Sequence, residues 1–224
     1  MRVTFARPAL NRGGAYVVFV AEGGKLSESA NQLNKATKGS LKRALESSRF
    51  KGGKDQTLVV LGPPGVSAKQ ILLLGIGAPA KVNDLAAQSL GGAIFRSLGT
   101  SGAKTASVLV DKIKGVKISD AEFAANIAYG CHLRSYRFDK YRTQEKDKDK
   151  PSLTSVAVMS KDDAGSRLKF APLRSVLDGV FFTRDLVSEP ANVLYPISFV
   201  ARLRSLAKLG VKLQVLDEKR MKKL

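Results

Sequence analysis

A chain of 224 residues with 44% hydrophobic and 25% charged residues has the material for a sizeable core, which excludes a disordered or collagen-like polypeptide. Its longest apolar runs, 15–21 and 71–80, fall well short of the roughly 20 residues of a membrane-spanning helix, and "MRVTFARPAL" has none of the regions of a secretory signal. A single cysteine, Cys131, excludes an internal disulfide and predicts a reducing, cytoplasmic setting, while the formal charge of +19 reads either as a solvated basic surface or as a field that recruits phosphate-bearing partners.

Short β-branched runs alternate with helical patterns from the start of the chain. Strands are expected at 2–6, 15–21, 56–62, 69–77, 105–110 and 152–159. Between the second and third, a helix opens at Ser27 and closes at Gly39, and a shorter one begins behind Ser40 with Leu41, Ala44 and Leu45 inward. Residues 83–98 place Leu85, Ala86, Leu90, Ile94 and Leu98 at helical spacing. Ser119 with Glu122 three residues on is a capping box, and its helix should reach about residue 135. Residues 142–151 alternate in charge and end in proline, an exposed loop before the last strand. From about 171 a long amphipathic helix carries Leu173, Val176, Leu177, Val180, Phe181 and Val187 until Pro190 stops it. Pro196 suits the first turn of a further helix that Gly210 ends, and 211–217 alternates with period two as a strand. Asp217 then reads as an N-cap with little chain behind it.

Candidate chemistry is sparse. The turn "GIGAPA" (75–80) follows a strand as a dinucleotide loop would, but Pro79 interrupts it and no acid lies about 20 residues on for a ribose. "GPPG" (62–65) reads as a turn between strands. With His132 the only histidine, no His cluster or Ser-His-Asp triad can be assembled, and Cys131 beside it reads as a small buried thiol next to an imidazole on the helix surface. Asp162–Asp163 and Asp217–Glu218 read as helix caps, and Asp147 and Asp149 are flanked by lysines that oppose a divalent cation. Around the proline stop stand Arg184, Asp185, Glu189, Pro190, Asn192 and Pro196, residue types that satisfy a broken helix end; no catalytic, metal-binding or cofactor-binding residue emerges.

The stretch "TRDLVSEPANVLYPISF" (183–199) closely resembles the domain-junction signature of the leucyl aminopeptidases, the cytosol aminopeptidases of peptidase family M17. "GKDQTLVVLG" (53–62), "AKQILLLGIG" (68–77), "YRFDKYRT" (136–143) and "GVKLQVLDEKRMKKL" (210–224) agree with it in order. The resemblance implies an α/β, macro-like three-layer domain with a mixed β-sheet flanked by helices over 1–165, a long connecting helix at 166–190, and the first helix and strand of a truncated catalytic domain at 191–224. It also implies a parent hydrolase that releases N-terminal amino acids from peptides, two divalent metals (zinc or manganese) in its catalytic domain, and assembly as a hexamer. The chain stops at Leu224, where that catalytic domain would begin, and the family's metal-binding motif of the type NTDAEGR does not occur, so no ligand is carried over and the 224-residue chain is expected to be inactive alone. Tyr195 stands where the family commonly has a helix-capping threonine. The expected contribution of these residues is oligomer assembly and access to the active site. The alternative is DNA binding, as some bacterial members of the family do; the charge permits it, though no helix-turn-helix or aromatic-interleaved basic stripe is present.

Overall fold

The computed structural model describes residues 1–10 and 13–224. Packing separates two units, Met1–Leu177 and Asp178–Leu224. The first is built on β1 (Arg2–Ala6), β2 (Gly14–Ala21), β3 (Lys25–Leu26), β4 (Thr57–Leu61), β5 (Ala68–Gly77), β6 (Thr105–Val110) and β7 (Ser155–Ser160). These form one sheet in the order β1-β7-β6-β2-β5-β4, with β3 attached to β2. The strands from β1 to β5 along that order are parallel, whereas β4 is antiparallel to β5 and β3 to β2.

The central strands are near-continuous apolar runs because both faces of the sheet are covered. Tyr16, Val18 and Val20 of β2 point to one face, where they cluster with Ala30, Leu33 and Leu41 of α1 (Glu28–Ala36) and α2 (Ser40–Glu46). The residues between them face the other way, and the Phe19 ring meets Phe123 edge-on at 5.3 Å. Phe123 belongs to α4 (Asp120–Arg134), which packs closely along α3 (Asp84–Leu98). The result is an α/β layered unit with a mixed sheet between helices, as the alternating pattern requires.

Local signals set the helix starts. The Ser27 Oγ accepts from the Ala30 amide at 3.3 Å and the Asn83 side chain from Ala86 at 2.9 Å. At α4 the capping box is reciprocal: Ser119 Oγ accepts from the Glu122 amide at 3.2 Å, and Glu122 Oε2 accepts from the Ser119 amide at 3.1 Å. Lys169 adds a contact to Glu122 Oε1 at 2.8 Å. The Lys169 ammonium, with the donors of Ser119, holds the Glu122 carboxyl down at about 2. Because the folded group gives up its proton more readily than the unfolded one, its stabilisation is present above the ordinary value of 4.5 and fades as pH falls toward 2. Urea unfolding should therefore separate the wild type from Glu122→Gln by about 1 kcal/mol or less at pH 7, the pair being open to solvent, and the difference should be largely lost as pH falls through about 2. A difference that persists unchanged into acid would mean that charge is not what the pair contributes.

Three elements depart from the sequence expectation. The long helix α5 (Asp163–Ser188) begins ahead of the apolar stripe read from about 171, at the Asp162–Asp163 pair read as a cap. Asp162 secures that start by accepting from the Gly165 amide at 2.8 Å, and Phe170, packed on Phe5 at 5.3 Å, anchors the turn before the proline. Packing offsets the hydrogen bond that Pro172 removes. β3 is too short to leave a pattern. In the second unit, α6 (Pro196–Leu203) is followed by a 3-10 turn, Arg204–Leu209, and by α7 (Glu218–Met221), but residues 211–217 form no strand. Val211, Leu213 and Val215 remain 45%, 39% and 43% exposed, because alternation alone cannot hold a strand that has no neighbour to take its backbone groups.

Candidate functional site

The residues singled out at the proline stop lie in the second unit, at the end of α5 and the start of α6. Beyond Ser188 the chain turns back through 191–194, and the Val193 and Leu194 amides both donate to the Pro190 carbonyl at 2.9 Å. Glu189 carries the tightest contact: its side chain is only 2% exposed and receives Arg202 Nη2 from α6 at 2.9 Å. This pair fastens the exit of one helix to the body of the next. Pro196 occupies the first turn of α6, where its missing N–H leaves nothing unsatisfied. Tyr195 makes no side-chain cap; Ser198 accepts from the Tyr195 amide at 2.9 Å instead. Arg184 and Asp185 sit exposed on the last turns of α5, and Asn192 sits exposed in the turn. Sequence reasoning missed Arg202 and Ser198. The position of Ser198, three residues past a helix start, was a readable signal, whereas nothing local marks Arg202 as the partner of Glu189.

The groups that tempt a catalytic reading are placed elsewhere, all but Asp217 in the first unit. Cys131 is fully buried, and burial pushes its thiol up to about 12, so no thiolate forms at neutral pH. His132 is 6% exposed, not on the helix surface as expected, because α4 is buried from Phe123 to His132 between α3 and the sheet. Asp162 caps α5, Asp217 accepts from the Arg220 amide at 2.8 Å at the start of α7, and Asp147 pairs with Lys150 at 2.8 Å. Among the described residues no three His, Cys, Asp or Glu side chains gather as a metal site. The donor set of a dinuclear centre is thus not found in the described residues.

One buried polar contact was not legible in the sequence. Asp111, just past β6, accepts from the Ser29 amide at 2.9 Å and from the Ser29 hydroxyl at 2.6 Å, tying the first turn of α1 to the end of a strand 82 residues away.

Comparison with known proteins matches residues 17–145 to the family described as "Cytosol aminopeptidase family, N-terminal domain". A probable cytosol aminopeptidase of Caulobacter vibrioides is 38% identical over 226 aligned residues, covering 100% of this chain and 44% of the relative. One from Rhodopseudomonas palustris is 42% identical over 184 residues, covering 82% of this chain and 36% of the relative. Among solved structures, a mutant of tomato leucine aminopeptidase superposes with a TM-score of 0.80 at 22% identity, over 100% of this chain and 46% of that one. The bottromycin maturation enzyme BotP superposes with a TM-score of 0.66 at 21% identity, over 89% and 38%. At such identities the structures speak for the fold. The chain spans less than half the length of the curated relatives it matches.

Proposed function

The chain belongs to the cytosol aminopeptidase family through its N-terminal domain, and from that premise we propose that it forms the non-catalytic part of a leucyl-aminopeptidase-like metallo-exopeptidase. The whole protein would act in the cytoplasm as a homo-hexamer that releases N-terminal amino acids from peptides. Two divalent ions, zinc or manganese, would polarise the scissile carbonyl and supply the attacking water from a site built by residues outside this chain. The observation that carries this reading is the family match across 17–145, joined to a proline junction that ends α5 and starts α6. The part proposed for this chain is to fold, to present surfaces for assembly, and to hold the junction of α5 and α6 through Glu189 and Arg202.

Hydrolysis of L-leucinamide with added manganese or zinc tests the division of labour. The 224-residue chain is expected to show no rate above buffer, whereas a gene product extended past Leu224 turns over; metal-dependent release by the shorter chain would overturn the assignment.

A second reading, DNA binding, is favoured by one local observation. Lys35, Lys38, Lys42, Arg43, Arg49, Lys51 and Lys54 are all exposed, and Glu46 is the only carboxylate in that segment. Retention on a DNA column that collapses over a modest rise in salt supports phosphate contact, and failure to bind at low salt ends the reading.

A further inference from the structure

The sheet connectivity leaves one place where neighbouring strands send the chain in opposite directions. From β2 the chain passes through β3, α1, α2 and β4 to β5 on one side, and from β6 it passes through α4 to β7 on the other. β2 and β6 pair only from Ala15–Val17 to Ala106–Val108. Beyond that they part: β2 stays with β5 as far as Ala21, and β6 stays with β7 as far as Val110. In open α/β sheets the crevice outside the carboxyl ends of such diverging strands is where ligands sit. A cavity of about 350 Å³ occupies that position here. This volume lies within the range of small-molecule sites, roughly 300–1,000 Å³.

Its chemistry is divided. Leu26, Pro79 and Ile113 give it apolar walls, and Lys25, Lys112 and Lys114 stand exposed around it. None of these three lysines makes an ion pair among the described residues. Two carboxylates also line the space. Glu28 is already engaged by Lys161 at 2.9 Å, which leaves Glu22 as the one unpaired acid against three ammonium groups. The Ser29 and Ala30 amides of the first turn of α1 are already taken, by Asp111 and Ser27. What remains is a cationic rim over an apolar wall.

We propose that this switch-point cleft binds a small phosphorylated organic molecule of the nucleotide class, with phosphate oxygens on Lys25, Lys112 and Lys114 and the flat apolar body against Leu26, Pro79 and Ile113. A phosphate suits three flexible ammonium groups, each a mobile point charge with several donors. The proposal concerns the first unit alone and does not depend on the peptidase reading.

The test is an amide chemical-shift titration of the 224-residue chain with AMP and, separately, with inorganic phosphate. AMP should shift the amides of Lys25, Lys112, Ile113 and Lys114 in a saturable way. The double variant Lys112→Gln/Lys114→Gln should weaken AMP roughly tenfold or more, and Lys42→Gln/Arg49→Gln, in the distant basic segment, should leave it unchanged. An otherwise superimposable spectrum establishes that each variant is folded. AMP that shifts no cleft amide, or binds the Lys112/Lys114 variant as well as wild type, overturns the site. Inorganic phosphate that saturates the same amides with equal affinity overturns the nucleotide class.

Discussion

Gly91→Ala is expected to lower the thermal unfolding midpoint by roughly 5–10 °C, while the same substitution at the adjacent Gly92 raises it by about 2 °C. Both glycines lie inside α3. A Cβ at Gly91 would overlap the Ile127 carbonyl oxygen and stand 2.6 Å from the Cys131 backbone nitrogen of α4, whereas one at Gly92 meets nothing within 4 Å. α3 and α4 therefore touch backbone to backbone, and on the facing side Gly130 leaves room for the Gln88 carbonyl. Overpacking such a contact costs about 2–3 kcal/mol, since a backbone cannot move aside as a side-chain tip can. At Gly92 the substitution only removes conformational freedom from the unfolded chain, a gain of about 0.5–1 kcal/mol. Circular dichroism melts of the two single variants decide it. Equal midpoints would show that the helices do not approach as closely as described.

Asp111→Ala is expected to destabilise the chain by about 3 kcal/mol in urea unfolding at pH 7, with Asp111→Asn falling between it and the wild type. The carboxylate is 6% exposed and serves two donors of Ser29, which is itself 5% exposed. Alanine leaves both donors buried without an acceptor, and each unsatisfied group costs about 1–3 kcal/mol. Asparagine keeps one carbonyl oxygen and so retains one of the two bonds. The same variant should speed hydrogen exchange at the Ser29 amide, because the first turn of α1 loses its tie to the end of β6. A loss of stability with unaltered exchange at Ser29 would place the cost elsewhere. The effect should reach the cleft, since Ser27 and Glu28 on that turn form part of its wall.

The junction between α5 and α6 rests on the same kind of contact. Glu189 is enclosed and paired with Arg202, and a charge taken out of water in this way is costly to leave alone. Such a pair makes the joint specific in geometry more than it makes it stable.

What the sequence by itself determined is everything that depends on neighbours within about four residues. The caps at Ser27, Asn83 and Ser119, the β-branched strand runs and the stop at Pro190 could all be read, because backbone geometry and hydrogen bonding there are closed locally. The junction was legible as a resemblance in the same way, as a contiguous word. Tertiary structure decided that α5 runs unbroken through Pro172, where Phe5 packs on Phe170. It decided that His132 is buried, that Asp111 reaches Ser29, and that Gly91 but not Gly92 must lack a side chain. It also decided that 211–217 is not a strand, since alternation supplies a face but not a partner. In each case the deciding atoms are distant in sequence, and neither periodicity nor propensity records which distant backbone or side chain the fold brings alongside.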